Sequence, residues 1–172
     1  DGSESDEFYH SLAGMQRYLV GAMALMAPYV NSYRRYVANF SAPINLEWAE
    51  NNRTTGIRVP ISEPESRRIE NRVVGMDCNP YIGLAASLAC GYLGLKNKLI
   101  PRKAVTGEAY DADRDIPPSL REALNLLDES AEIMDIMGPE FTAVYKAAKH
   151  KELEDFQEVI SPWEREHLLM NV

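Results

Sequence analysis

A chain of 172 residues that is 45% hydrophobic can bury one core, and its length fits a single domain. With 18 Lys and Arg against 26 Asp and Glu its net charge is −8, which argues against nucleic acid, whose binding needs clustered cations on a net basic face. The longest apolar run, Tyr81 to Leu95, is shorter than the roughly 20 residues a bilayer span requires and is broken by Ser87 and several glycines, so no membrane role is expected.

Phe8, Leu12, Met15, Leu19 and Met23 recur at spacings of three and four, which predicts an amphipathic helix from Glu7 to about Met26, ending before Pro28. From Tyr29 to Val74 the chain carries strand and loop signals. Pro43, Pro60 and Pro64 punctuate it, and Arg53 to Val59 and Arg67 to Val73 are its best strand candidates. Arg53 and Arg58 fall on opposite strand parities, and a bulge at Gly56 would return both to one face. Asn79-Pro80 reads as an N-cap followed by proline at the first helical position, opening a helix through about Leu93. That helix is apolar or small on all sides, so it is expected to be buried. After a loop from Lys96 to Pro118, Ser119 and Glu122 form a capping box for a helix to about Leu127, with a possible continuation to Met137. Gly138-Pro139 breaks it. Helices are then expected at Glu140 to Lys149 and Leu153 to Val159, and Ser161-Pro162-Trp163-Glu164 opens the last with a second capping box. No repeat, low-complexity tract or Gly-rich phosphate loop interrupts this order.

Two cysteines, Cys78 and Cys90, are too few for a disulfide framework and form no metal motif, which predicts reduced thiols and a cytoplasmic protein. His10, His150 and His167 lack helical metal spacing and are expected at the surface or at caps.

The chemistry concentrates between Asn31 and Arg72. That segment holds Arg34, Arg35, Arg53, Arg58, Arg67, Arg68 and Arg72, no lysine, and the acids Glu47, Glu50, Glu63, Glu65 and Glu70, so it is locally positive within an acidic chain. An all-arginine segment points to an oriented anion, because a planar guanidinium binds carboxylate or phosphate through two parallel bonds. In an extended strand Arg68, Glu70 and Arg72 share one face. Such a row can hold a divalent cation on the glutamate while the arginines take anionic oxygens. A single carboxylate cannot hold a hard cation firmly, so further acids must come from elsewhere in the fold or from outside the chain.

Asn31-Ser32-Tyr33-Arg34-Arg35, Ala42-Pro43, Asn52-Arg53-Thr54-Thr55-Gly56-Ile57-Arg58-Val59-Pro60, Arg68-Ile69-Glu70-Asn71-Arg72 and Asn79-Pro80-Tyr81, in this order, resemble glutamine synthetase. The resemblance implies an α+β fold with a mostly antiparallel sheet carrying the arginines, helices packed behind it and a helical carboxyl-terminal third. It also implies ATP-dependent ligation of L-glutamate to ammonia or an amine through γ-glutamyl phosphate. By the same resemblance Arg35 and Arg72 hold glutamate and its reacting carboxylate, Arg53 stabilises the transferring phosphoryl group, and Arg58 and Arg68 contact ATP phosphates. Glu70 matches a ligand of the second metal, Mg²⁺ or Mn²⁺. Arg34 and Arg67 are left as structural. The partners implied are small molecules and, for the full-length protein, further copies in a homo-oligomeric ring.

Two departures from the family pattern stand out. Where ammonia-using members carry a glutamate six residues after the arginine matching Arg35, this chain has Ser41. A less acidic, wider pocket fits a larger amine, as in relatives of γ-glutamylputrescine synthetase, which the closing Trp163 to Leu169 also resembles. The second departure is extent. Residues 1–172 match only the carboxyl-terminal portion of the catalytic domain, with the β-grasp domain and the first half of the catalytic domain absent, so the chain alone is expected to be inactive. Tyr110 lies near the tyrosine that some bacterial members adenylylate, in a different local sequence. The alternative to a ligase is a noncatalytic structural or assembly member of the same fold; a guanidino-kinase-type enzyme fits the ordered motifs poorly.

Overall fold

A computed structural model describes residues 4–171, which form an α+β fold. Helix α1, Asp6–Met26, begins where the Ser5 hydroxyl accepts the Phe8 N–H at 3.3 Å, with Asp6 and Glu7 in the first turn facing the positive end of the helix dipole. It is the central element of the helical layer. Leu12, Leu19, Met23 and Met26 are fully buried in the main core, and α1 packs against both α2 and α3.

Helix α2, Pro80–Asn97, is capped as the sequence predicts, the Asn79 side chain accepting from Tyr81 N–H at 3.0 Å and Ile82 N–H at 3.4 Å. Its crossing with α1 depends on glycine. A Cβ on Gly14 would stand 2.6 Å from Gly94 Cα, and one on Gly94 2.5 Å from Gly14 Cα, so neither position admits a side chain without moving a helix. The expectation that α2 is buried on all sides does not hold. One face lies on α1, while Tyr81, Leu84, Leu88 and Tyr92 are exposed.

Helix α3, Leu120–Asp128, starts at Ser119, whose hydroxyl accepts from Glu122 N–H at 3.2 Å; the Glu122 carboxylate meets that hydroxyl instead of the Ser119 backbone. Glu129 and Ser130 interrupt the path, and α4, Ala131–Met137, is a separate helix ended by Gly138 at φ +96. Helix α5, Pro139–Glu158, then runs without the expected break. Lys149 and Glu152 pair at 2.7 Å and Lys151 and Asp155 at 2.8 Å across that stretch, and the Lys149 ammonium lies 4.4 Å from the Tyr29 ring. Helix α6, Pro162–His167, opens on the full capping box, Ser161 N–H to Glu164 Oε2 at 2.7 Å and Glu164 N–H to Ser161 Oγ at 3.2 Å.

The sheet is small and mixed. Strands β1, Trp48–Glu50, and β2, Ile57–Val59, run parallel, and β3, Glu70–Asn71, runs antiparallel to β2 with Arg58 opposite Glu70. The mostly antiparallel sheet of the expectation is therefore one pair of each kind. Both arginine strands are shorter than predicted. Asn52 Oδ1 accepts from Thr54 N–H at 2.9 Å and from the Thr54 hydroxyl at 2.8 Å, an Asx-type turn that takes residues 53–56 out of the ladder. Gly56 makes no bulge between Arg53 and Arg58. It lets the chain pass Asn45, whose carbonyl oxygen would lie 2.2 Å from an added Cβ.

Both cysteines are free. No helix among the described residues is long and apolar enough to cross a membrane.

Candidate active site

Arg72 organises the arginine-rich face. It lies one residue beyond β3 and is tethered through its N–H to Gly56 O at 3.0 Å. Its guanidinium then bridges two backbone segments through three carbonyls: Nη1 donates to Thr55 O at 3.0 Å and to Arg53 O, and Nη2 donates to Ser41 O at 3.2 Å. The backbones of Arg53 and Ser41, expected at the phosphoryl group and the amine, are thus tied to Arg72, expected at glutamate. Burial pulls the Arg72 pKa below the usual guanidinium range, with the Glu70 carboxylate opposing; Tyr110, Arg58 and Arg53 are its other charged or titratable neighbours.

Arg58 and Glu70 face each other across the β2–β3 ladder, Nη1 to Oε2 at 2.7 Å, and Arg58 Nη2 reaches Asn51 Oδ1 at 2.7 Å. The carboxylate is therefore paired with one guanidinium rather than flanked by the two expected from alternation. Arg58 from the neighbouring strand takes the place of Arg68, which precedes β3, is exposed, and turns back to Ser66 O at 3.0 Å. Arg53 is exposed on the loop before β2. Arg67, left as structural, pairs with Glu4 at 3.2 Å.

Arg35 is placed by its neighbour. Its guanidinium lies 4.2 Å from the Tyr36 ring centroid, and Nη2 donates to Tyr36 Oη at 2.6 Å and to Val73 O at 2.5 Å. Tyr36 also donates to Val73 O, at 2.6 Å, and burial pushes its phenol up to about 12 against the opposing pull of Arg35. The carbonyl next to Arg72 in the chain is thereby the anchor for Arg35. Arg35 Nε and Arg58 Nε are buried without a hydrogen-bond partner.

Ser41 sits in a strained turn. Ala42 N–H bonds Phe40 O at 2.8 Å, closing a three-residue turn around Ser41 at φ +67, and Asn39 two residues earlier lies at φ +63. Asparagine tolerates that region; serine does so rarely. Tyr110 Oη donates to Ala42 O at 3.2 Å on the far side of the turn. Asn51, Asn52 and Tyr36 are the contributors that motif reading missed, and the Asn-x-Thr pattern of an Asx turn was the available signal for Asn52.

Glu70 is half-exposed and offers one carboxylate, already engaged by Arg58. Among the described residues no group of three or more His, Cys, Asp or Glu side chains stands together. A hard cation draws on several oxygen ligands, and among the described residues Glu70 has no second acid clustered with it to share a divalent ion. A cleft of about 890 Å³ lies between α1, α2 and the chain from Ile69 to Cys78, where Met15, Ile69, Val74, Leu84 and Leu88 line it.

The family model described as "Glutamine synthetase, catalytic domain" matches residues 1–168. γ-Glutamylputrescine synthetase of Escherichia coli K12 is 36% identical over 173 residues, covering 99% of this chain and 36% of that protein. Glutamate–isopropylamine ligase of a Pseudomonas species is 35% identical over 167 residues, covering 95% of this chain and 36% of that protein. The solved structure of apo GmaS without ligand superposes with a TM-score of 0.85 at 29% identity, over 96% of this chain and 38% of that one. The chain thus spans little more than a third of the length of the relatives it matches. It belongs to the glutamine synthetase family, within the catalytic domain.

Proposed function

We propose that the chain supplies the arginine-bearing part of an ATP-dependent glutamate–amine ligase, corresponding to the carboxyl-terminal portion of the relatives' catalytic domain. The carrying observation is the Arg72 guanidinium, which ties the backbone of Arg53, Thr55 and Ser41 together beside the Arg58–Glu70 pair. In this scheme a glutamate γ-carboxylate oxygen attacks the terminal phosphorus of ATP, ADP leaves, and an amine displaces phosphate from the acyl phosphate.

Charge accumulates on phosphoryl oxygens during the first step, and preset guanidinium groups stabilise it without reorganising. Arg53, exposed on the loop before β2, would take that role. Arg35 and Arg72 orient glutamate, and Arg58 and Arg68 take nucleotide phosphates. Glu70 would contribute one oxygen to a Mg²⁺ or Mn²⁺ site whose other ligands lie outside the described residues; no step is assigned to it. Ser41, neutral at the position of an acidic residue in ammonia-using members, favours an amine over ammonia as acceptor. The intact gene product, incubated with ATP, glutamate and hydroxylamine, is expected to form γ-glutamyl hydroxamate, and Arg53→Ala to abolish it while the fold persists.

A noncatalytic assembly role is favoured by one observation: the Arg72 donors are spent on backbone carbonyls, as in a purely structural arginine. The two roles separate in the same assay. Under the assembly role no ATP-dependent hydroxamate forms at any enzyme concentration.

A further inference from the structure

We infer that Tyr36 is a positioning residue for glutamate, its buried ring and hydroxyl fixing the Arg35 guanidinium in one orientation beside the chain that carries Arg72; this rests on the ligase function proposed above. Tyr36 follows the 3-10 helix Val30–Arg35 and is 1% exposed. Its backbone is pinned on both sides, the N–H donating to Tyr33 O at 3.3 Å and the carbonyl accepting from Arg114 Nη2 at 2.8 Å. Its ring meets the Tyr33 ring edge-on, with centroids 6.0 Å apart.

Three groups close on one another. Arg35 Nη2 donates to Tyr36 Oη at 2.6 Å and to Val73 O at 2.5 Å, while Tyr36 Oη donates to the same carbonyl at 2.6 Å. Both protons of Nη2, the phenol proton and both lone pairs of the carbonyl are thereby used. Arg35 Nε is buried without a partner, and Nη1 has none among the described residues. The triangle thus commits Nη2 to the protein and leaves Nη1 as the donor pair for a substrate carboxylate. The guanidinium carbon also lies 4.2 Å from the Tyr36 ring centroid, so one side chain both bonds the end of the fork and covers its face.

The bracing is reciprocal. Arg35 and Tyr36 bond the carbonyl of Val73, next to Arg72, and Arg72 bonds the carbonyl of Ser41 in the loop that follows Tyr36. Each arginine proposed to orient glutamate is therefore seated on the segment that carries the other. Burial pushes the Tyr36 phenol up to about 12 against the opposing pull of Arg35, so its proton stays in place through neutral pH. A guanidinium held in this way avoids the ordering cost that a free arginine meets when it binds an anion.

The test is steady-state hydroxamate formation by the intact gene product, with glutamate and ATP varied separately. Tyr36→Phe keeps the ring and leaves Val73 O its bond from Arg35, so it should fold. It should raise the glutamate KM by about tenfold, the scale of one hydrogen bond to a charged group, with the ATP KM and kcat near the parent's. Tyr36→Leu, which removes ring and hydroxyl together, should raise the glutamate KM further. A merely structural tyrosine would lower Tm and the yield of active enzyme and leave the glutamate KM in place. A glutamate KM unmoved by Tyr36→Phe, an equal rise in the ATP KM, or loss of the fold in both variants would overturn the inference while leaving the ligase standing. No hydroxamate from the parent enzyme would sink the ligase function and the inference with it.

Discussion

Arg72 Nη2 grips the carbonyl of Ser41 at 3.2 Å across 31 residues of chain, joining the end of β3 to a turn that lies at φ +67. A lysine could reach one of the carbonyls Arg72 bonds, but it has no fork to bridge the two segments that carry them. Arg72→Lys is therefore expected to lower stability by about 0.5–1.5 kcal/mol through lost hydrogen bonds to carbonyls that are exposed or part-buried. It should also cut amide formation by about 10²–10³-fold. Denaturant melts and hydroxamate yields on the same preparation check both; a variant with native stability and native turnover contradicts the clamp.

Arg58 and Glu70 are cross-strand neighbours at 2.7 Å, with Glu70 half-exposed, so their pairing contributes little to stability. A double-mutant cycle with Arg58→Met and Glu70→Gln should give a coupling of about 0.2–1 kcal/mol. Activity should fall far more than stability in each single variant. Equal proportional losses would mark the pair as structural.

The crossing of α1 and α2 leaves no space at Gly14 and Gly94. Gly14→Ala is expected to cost about 1–3 kcal/mol through overpacking, despite the higher helix propensity of alanine. A thermal melt reads this directly, and an unchanged or raised Tm would show that the helices separate without penalty.

Glu47 is held above the usual carboxylate range by burial, with Arg102 at 3.4 Å opposing and Asp115 adding to the rise. The folded state therefore keeps this proton to higher pH than the unfolded chain. Stability contributed by the protonated carboxyl is present below the unfolded pKa and is lost as pH climbs through the raised folded value. Glu47→Gln should flatten the fall of Tm across that window, from about pH 4 upward. A Tm profile that coincides with the parent's at every pH contradicts the assignment.

Helix starts were legible because caps are local: Asn79-Pro80 and Ser161-Pro162-Trp163-Glu164 each satisfy their own backbone within four residues. The strands were less so. Alternation places Arg68, Glu70 and Arg72 on one face, but pairing is set by nonlocal partners, and Arg58 from β2 displaced Arg68 beside the carboxylate. The break at Glu129–Ser130 and the unbroken α5 turned on tertiary contacts, such as the Tyr29 ring over Lys149, that no periodicity encodes. Arg35, Arg53, Glu70 and Arg72 were named from ordered motifs, yet the device that ties Arg72 to the Arg53 and Ser41 backbones, carbonyls bonded by its guanidinium, leaves no mark in residue type.

The 172-residue polypeptide by itself is expected to form no amide. It spans little more than a third of its relatives' length, and its described residues hold no three-carboxylate cluster for a divalent ion. ATP-dependent hydroxamate from this polypeptide alone would contradict that.

Transfer of oxygen tests the central claim most directly. Glutamate labelled with ¹⁸O in its γ-carboxylate, supplied with ATP and an accepted amine to the intact gene product, should deliver one labelled oxygen to inorganic phosphate for each amide formed, and Arg53→Ala should abolish the transfer. Amide formed with unlabelled phosphate, or label transferred undiminished by the Arg53→Ala protein, would contradict an acyl phosphate made among these arginines.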